Sequence, residues 1–483
     1  MKETAFYHDQ QLEEFIGNPL IEALPPMEDP SMYPKLLMVL PDYSEEERQE
    51  SPAWRLVRLQ RLAHIHIPTK EDSMLMLGIS CCLRWSYVGR NPIPFENVKQ
   101  ILRKRGIDVT NSLERYITSS KAPMYGFPVL GVSGVGKTTS VENVLSLFPQ
   151  VIQHTSFRGI VFDQEQLVWL KVDCPPDGTP KGLCSTILKG IDNAMGSDYT
   201  GQILRNRMSK DVLLQRVSKL IEKLNLGILI IDDIQNLCGA KETVSDELLN
   251  FMISLSNSIR IPVIMVGSPK ILRILQREFQ QAKRASGEGE IRMDLMSSDS
   301  QEWKRFIKTI WRYQYTSKKM DLTPEMEEIF FTESVGNPFI ASMLYKLVQD
   351  DAIISKKEAF EVADVKRVSK EKMGITAKMR KDMLAGVDVE LNAYRYLWEA
   401  ADNANWMPTP ENSTGRKNES VNQEYNALVT KISVKLEKAG ITINEARSYA
   451  RQAIAAYPNE QNIDILFGYA TALHKAALQK QMT

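Results

Sequence analysis

Phe127-Pro-Val-Leu-Gly131-Val-Ser133-Gly134-Val135-Gly136-Lys137-Thr138-Thr139 decides how this chain is read. A short apolar run is followed by a glycine-rich turn, and then by a segment through Leu147 that can enter a helix. Gly131, Gly136, Lys137 and Thr138 fit the phosphate-loop spacing G-x-x-x-x-G-K-[ST]. That spacing has a physical cause: successive backbone N–H groups must curl around phosphate oxygens, which requires residues tolerant of unusual φ and ψ. The positive end of the following helix adds to the attraction. Gly131, Ser133, Gly134, Val135, Gly136, Lys137, Thr138 and Thr139 are therefore the expected nucleotide contacts, with Lys137 on the β- and γ-phosphates and Thr138 on Mg²⁺. The expected cofactors are ATP and Mg²⁺.

Working outward, Leu167 to Asp173 reads as a strand that ends in the turn Cys174-Pro-Pro-Asp-Gly-Thr-Pro180, with a helix from Lys181 to Ala194. Gly227-Ile-Leu-Ile-Ile231 is apolar throughout, as befits a strand buried on both faces, and it delivers Asp232 and Asp233. Asp232 is the expected second Mg²⁺-side ligand, and Asp233 the carboxylate that orients or activates the attacking water. Ile261 to Val266 is a further strand, whose tip places the polar Ser268 where it can hydrogen-bond a γ-phosphate or the water. A helix from Pro269 to about Arg284 and a last strand, Ile291 to Met296, complete the alternation. Strands alternating with helices predict an α/β fold with a parallel five-stranded sheet and the site at its carboxyl edge.

Upstream, Pro25, Pro26, Pro30 and Pro34 break the opening into an irregular arm, and helices are expected over 71–86, 95–105 and 109–119. Trp54 to Ile65 reads as an amphipathic helix carrying Arg55, Arg58 and Arg61 at three-residue spacing, either a solvated face or a surface for DNA or a partner. Downstream of Asp299 the pattern is helical over 302–315, 324–333, 337–348 and 357–370. Met407 to Ser420 is rich in Pro, Asn and Ser and reads as a linker. The expected organisation is a mostly helical N-terminal region (1–120), a nucleotide-binding core (121–298), a helical lid (299–375), a helix and linker (376–420) and a helical C-terminal extension (421–483).

Composition sets the bounds. The 483 residues hold 60 Lys+Arg and 60 Asp+Glu, so no global field attracts nucleic acid and any such binding needs a local basic surface. The five cysteines form no C-x-x-C pair and sit among apolar neighbours, as buried thiols in a reducing compartment do. His64 and His66 lack a Cys pair at zinc spacing. No apolar run reaches membrane-spanning length, and the start has no apolar core of a signal peptide. A cytoplasmic protein without a membrane partner is expected.

The order of phosphate loop, Asp-Asp strand, polar strand tip, arginine-bearing helix and helical lid is similar to the AAA+ ATPases. Val168-Trp-Leu-Lys-Val-Asp-Cys-Pro-Pro-Asp-Gly-Thr-Pro-Lys-Gly-Leu-Cys184 looks like the TnsC/TniB branch, whose members regulate transposition in CRISPR-associated or homing transposons. Leu229-Ile-Ile-Asp-Asp-Ile-Gln-Asn-Leu237, Ile261-Pro-Val-Ile-Met-Val-Gly-Ser-Pro-Lys270, Arg277-Glu-Phe-Gln-Gln-Ala-Lys-Arg-Ala-Ser-Gly287 and Ile310-Trp-Arg-Tyr-Gln-Tyr315 share that likeness. The resemblance covers Phe127 to Lys370. It implies an ATP-bound homo-oligomer, ring or filament, around the backbone of double-stranded DNA in a bacterial nucleoid. The partners so implied are transposase subunits (TnsA/TnsB-like) and a targeting protein (TniQ/TnsD-like). It further implies that Arg284 reaches a neighbouring subunit's γ-phosphate, with Lys283, Arg277 and Arg273 as substitutes, and that Pro338 in the lid turn touches the nucleotide. Lys181 matches the family's basic DNA-contacting position, with Arg205, Arg207 and Lys210 as further phosphate contacts. Two departures stand out. Asp233 occupies the place of a common Glu, which points to slow, regulatory hydrolysis, and Phe339 stands where many relatives carry a sensing arginine.

Overall fold

The computed structural model describes residues 2–119, 126–204, 209–239, 242–254, 260–271 and 289–374, and scattered positions beyond. The chain divides into two compact units, Met1–Asn403 and Ala404–Thr483. In the second, Lys435 lies over the Phe467 ring. The expected linker and most of the C-terminal extension lie outside the described residues.

In the first unit the strands are β1 (Lys2–Thr4), β2 (Pro128–Gly131), β3 (Val151–Phe157), β4 (Ile160–Leu167), β5 (Trp169–Asp173), β6 (Ile228–Asp232), β7 (Val263–Gly267) and β8 (Ile291–Met293). Five of them form one sheet in the order β5-β6-β7-β2-β8. Every pairing in it is parallel. The expected parallel α/β sheet is therefore present. Because the direction is shared, the carboxyl ends of all five strands meet at one edge. Asp173 is in register with Asp232, and Leu130 with Gly267. Crossover chirality and strand twist leave a crevice at that edge, where a ligand can reach backbone amides and strand-tip side chains together.

The sheet is buried on both faces. Ile228 and Ile230 turn to one layer, and Leu229 and Ile231 to the other. The second layer is the work of helices Pro180–Met195, Lys210–Lys223 and Glu242–Ser254, through residues such as Leu183, Ile187, Val217, Leu248 and Phe251. The first layer draws on the N-terminal residues. Leu20, Leu24, Leu75, Ile79, Leu83 and Tyr87 pack with Val129, Ile230, Ile264 and Val266. The opening segment is irregular but packed: Leu20, Ile21 and Leu24 are fully buried. The reason is visible in its sequence only afterwards. Leu20 and Ile21 are held on a short turn that Pro19 initiates and Asn18 caps.

A second sheet was not legible beforehand. β3 and β4 form an antiparallel hairpin, and β1 adds to it in parallel. The turn is Arg158-Gly159, both at positive φ (49° and 85°). Two residues in that conformation match the right-handed twist of a hairpin. An X-Gly pair between two alternating runs was the available signal.

The helices expected after Asp299 are present as Gln301–Trp311, Pro324–Ser334, Pro338–Ile354 and Val362–Lys372. They enclose an aromatic core in which Trp303 is fully buried and Trp311 stacks on Tyr345 with centroids 5.0 Å apart. Leu59, Leu62 and Ile67 belong to the same core. The N-terminal region thus supplies one side chain set to the sheet and another to the lid.

This arrangement settles the Arg55, Arg58 and Arg61 spacing. Helix Pro52–Arg58 continues into a 3-10 turn, Leu59–His64, so the three arginines do not line one solvated stripe. Arg55 is 4% exposed and grips Glu358 with both terminal nitrogens, at 2.6 and 2.7 Å. Arg58 bonds Glu47 and Glu50, and Arg61 bonds Glu47 and the Asp42 carbonyl. All three are paired inside the chain, which corrects the solvated-face expectation: guanidinium groups find carboxylates there, Arg55 and Arg58 with bidentate geometry.

The cysteine expectation holds for Cys82, Cys174 and Cys184, which are buried, but not for Cys238, which is exposed. It closes the 3-10 turn Ile234–Gly239 beyond the sheet edge, where no core covers it.

Candidate nucleotide site

Gly131 ends β2, and helix Lys137–Ser146 begins six residues later. Gly134 and Gly136 both take positive φ (83° and 104°), a conformation that L side chains rarely adopt. The turn they make presents backbone amides on a concave surface at a helix N-terminus, which is the cradle that a triphosphate needs. Lys137 Nζ donates to the Val132 carbonyl at 3.0 Å, so the side chain folds back over the loop.

β6 brings its carboxylates to the same place. Asp232 is 3% exposed, and its Oδ2 accepts from the Thr138 hydroxyl at 2.9 Å. A hydroxyl and a buried carboxylate in contact are the donor pair that suits Mg²⁺, a hard cation. A third group, Lys171 on β5, was missed from sequence. Its Nζ lies 3.4 Å from Asp232 Oδ2 and 2.8 Å from Glu142 Oε1. Burial disfavours its charge, yet the bond to Glu142 and the field of Asp232 outweigh that and raise its pKa. The alternation of Trp169-Leu-Lys-Val-Asp173 placed Lys171 off the apolar face, but only pairing with β6 reveals its neighbour.

Asp233 follows with φ of 52°, strained for a non-glycine residue, and its side chain is exposed toward the edge. Its Oδ1 accepts from Gln235 Nε2 at 2.8 Å. Ser268, one residue past β7, has its backbone N–H bonded to Gln235 Oε1 at 3.0 Å. Its hydroxyl is buried with no partner among the described residues. The sequence placed Asp232, Asp233 and Ser268 here; Gln235 was not foreseen.

The lid reaches the loop directly. Val335 and Gly336 take positive φ (57° and 70°), and that turn aims Asn337, fully buried, at the phosphate loop. Asn337 Nδ2 donates to the Ser133 carbonyl at 2.9 Å, while its Oδ1 caps helix Pro338–Ile354 by accepting from Phe339 and Ile340 N–H. The Phe339 N–H also meets the Gly134 carbonyl at 3.3 Å. A Cβ on Gly134 would stand 2.8 Å from Asn337 Oδ1, so that glycine serves the lid contact as well as the turn. Pro338 lines the cavity beside the loop, and Phe339 is 59% exposed at its rim.

That cavity, about 370 Å³, opens between Gly134–Gly136, Thr139 and Ser140, the β8 end and lid, and a wall made of Leu62 to Asp72. Its size and its mixed lining of apolar and hydrogen-bonding side chains suit a nucleoside continuing from the phosphate cradle. The N-terminal wall was missed by the sequence reading. It is fixed by Asp72, which is almost fully buried, bonds His66 Nε2 at 3.0 Å and caps helix Lys70–Val88 through Thr69. Burial opposes its ionisation, but the bonds from His66, Ser140 and Thr69 prevail and hold its pKa below the usual carboxylate value. Ser140 lies on the phosphate-loop helix, so Asp72 ties the wall to the cradle.

The other expected residues are distributed as follows. Lys181 is exposed at the start of helix Pro180–Met195. Lys210 opens helix Lys210–Lys223 and pairs with Glu247 at 2.9 Å, on a groove that also includes Pro180. Arg205 and Arg207, and Arg284 with its substitutes Arg273, Arg277 and Lys283, lie outside the described residues. Among the described residues no helix is long and apolar enough to cross a membrane.

Comparison with known proteins agrees with this geometry. Residues 127–275 match the AAA domain. Together with the five-stranded parallel sheet, that match gives the chain the AAA+ P-loop fold. Solved structures similar to it include a Walker-type ATPase of Pyrococcus abyssi (16% identity, TM-score 0.34, covering 59% of this chain and 81% of that one). Another is the Aeropyrum pernix ORC1 protein in complex with DNA (14%, 0.36, 73% and 78%). A third is Thermotoga maritima RuvB (16%, 0.32, 65% and 91%). Likeness at this level does not bear on what the chain binds. No curated relative matches the sequence.

Proposed function

We propose that this chain is an ATP-dependent regulator of transposition of the TnsC type, which assembles on duplex DNA and hydrolyses ATP slowly. The observation that carries the nucleotide half is the meeting of the phosphate loop, the Thr138–Asp232 pair and the lid residue Asn337 at one sheet edge. The transposition half rests on the sequence resemblance, above all on the segments Leu229–Leu237 and Ile261–Lys270 and the region around Arg277. ATP lies with its phosphates on Gly131 to Thr139 and its nucleoside in the cavity walled by Leu62 to Asp72. Thr138 and Asp232 would hold Mg²⁺, which would supply Lewis-acid neutralisation of charge on the phosphate oxygens. Asp233 orients the attacking water and takes its proton. The water oxygen bonds the γ-phosphorus as the bond to the bridging oxygen breaks, giving ADP and phosphate. Arg284 from a neighbouring subunit would complete the site.

Slow turnover follows from Asp233. A carboxylate one methylene shorter sits roughly 1.5 Å back, and displacements of about 1 Å can lower rates by about a hundredfold. Asp233→Glu is expected to raise kcat about tenfold or more without changing nucleotide affinity, measured as DNA-stimulated phosphate release. An unchanged kcat would remove the basis for slow hydrolysis.

Lys181 contributes to DNA binding as a backbone contact. Lys181→Ala is expected to weaken affinity equally on unrelated duplexes and to flatten the salt dependence by about one unit. An unaltered slope retires this residue. Lys210, already paired with Glu247, is the weaker contact.

Electron microscopy with duplex DNA tests the proposal as a whole: rings or filaments are expected with a non-hydrolysable ATP analogue and their loss with ADP. Rapid ATP turnover coupled to strand separation would instead indicate a DNA motor or helicase loader.

A further inference from the structure

The side chain of Gln235 occupies a position that neither the phosphate-binding pattern nor the sheet requires. It lies in the 3-10 turn Ile234–Gly239 that leaves β6, and it spans from the carboxylate of Asp233 to the main chain at the tip of β7. The two contacts fix which end of the amide points where. Oε1 accepts from the Ser268 N–H, so Nε2 is the atom that faces Asp233 Oδ1. The neighbourhood is built around this side chain. A Cβ on Gly267 would lie 2.6 Å from Gln235 Oε1 and 2.6 Å from Ile234 Cγ2, so only glycine leaves the amide its place at the strand tip. Asp233 itself has a left-handed backbone, φ 52°, and a short side chain that can swing about Cα–Cβ unless something holds it.

We infer that Gln235 is a positioning residue for hydrolysis: its amide clamps the Asp233 carboxylate and locks it in register with the tip of β7 at Ser268. The inference rests on the reading of Asp233 as the carboxylate that acts on the attacking water. Its physical content is a division of labour. β6 carries Asp233 to the sheet edge, but the strained turn alone does not determine where the carboxylate points. The donor from Gln235 does, and because the same amide accepts from the β7 backbone, movement at Ser268 is passed to Asp233. The Ser268 hydroxyl, buried and without a partner among the described residues, gives the same strand tip a second polar atom beside the site.

Two substitutions separate the clamp from a merely structural role. Gln235→Glu is nearly isosteric and keeps an acceptor for the Ser268 N–H, but replaces the donor to Asp233 with a repelling oxygen. Gln235→Ala removes both contacts. With the full chain on duplex DNA, Gln235→Glu and Gln235→Ala are both expected to lower kcat about tenfold or more, with ATP affinity and DNA assembly in the ATP analogue unchanged. If Gln235→Glu turns over at the wild-type rate, or if it loses ATP affinity in step with kcat, the positioning role is overturned. Wild type and Asp233→Asn run beside them. A wild type no faster than Asp233→Asn overturns the reading of Asp233 itself and with it the role of Gln235. A wild type well above Asp233→Asn, with Gln235→Glu unaffected, overturns the Gln235 role alone.

Discussion

Lys137→Ala is expected to abolish nucleotide-dependent multimerisation on DNA. The ammonium sits over the loop, 3.0 Å from the Val132 carbonyl, with the helix N-terminus and the glycine amides around it. In the proposed reading it is the side-chain cation that the loop supplies to the β- and γ-phosphates. Removing one partner of a buried charge contact costs on the order of 3 kcal/mol, or roughly a hundredfold in affinity. Titration with a fluorescent ATP analogue reads the affinity, and sedimentation with duplex DNA reads the assembly. The lid contact through Asn337 is made to the Ser133 carbonyl and not to Lys137, so the variant is expected to stay folded. Retention of ATP-dependent assembly by Lys137→Ala would remove the nucleotide from the account entirely.

The second large effect concerns stability. Glu358 takes two bonds from Arg55, at 2.6 and 2.7 Å, and one from the Ser317 N–H at 2.9 Å. Arg55 also donates to the carbonyls of Tyr315 and Glu50, so one guanidinium joins the N-terminal strap to two lid segments. In Glu358→Ala the arginine stays buried without its counter-charge, and loss of one partner of such a pair destabilises by about 3 kcal/mol. The lid is expected to unfold earlier in denaturant, followed by fluorescence of Trp303 and Trp311. A change within 0.5 kcal/mol, as rough surface substitutions give, would mean that the pair contributes little. The pH dependence has a definite sign. The bonds from Arg55, against the opposing effect of burial, hold the Glu358 pKa down at about 2 from an ordinary 4.5. A carboxylate depressed in the folded state adds stability that is fully present above its unfolded value. That stability is lost as pH falls from about 4.5 toward 2. Glu358→Ala is expected to flatten the fall in that window.

These effects show where the sequence was informative. Local chemistry survives translation into a pattern: the glycines of the phosphate loop, the apolar strand that ends in Asp232-Asp233, and the alternation that fixes a parallel sheet were all legible, because each depends on residues close in the chain. The hairpin β3–β4 was overlooked because its only punctuation is Arg158-Gly159. The arginine spacing at 55, 58 and 61 misled because regular spacing implies a face only while the helix lasts, and this one tightens at Leu59.

By itself, then, the sequence determined that a glycine-rich phosphate-loop pattern stands at the edge of a parallel sheet, and which carboxylates stand there. Only the tertiary structure decided that residues near 62–72 wall the cavity, that Asn337 docks the lid on Ser133, that Lys171 flanks Asp232 and that Gln235 holds Asp233. The reason is entropic as much as geometric. Contacts between residues separated by tens or hundreds of positions leave no local periodicity, and they form only once burial of the shared core has offset the loss of chain freedom that brings them together.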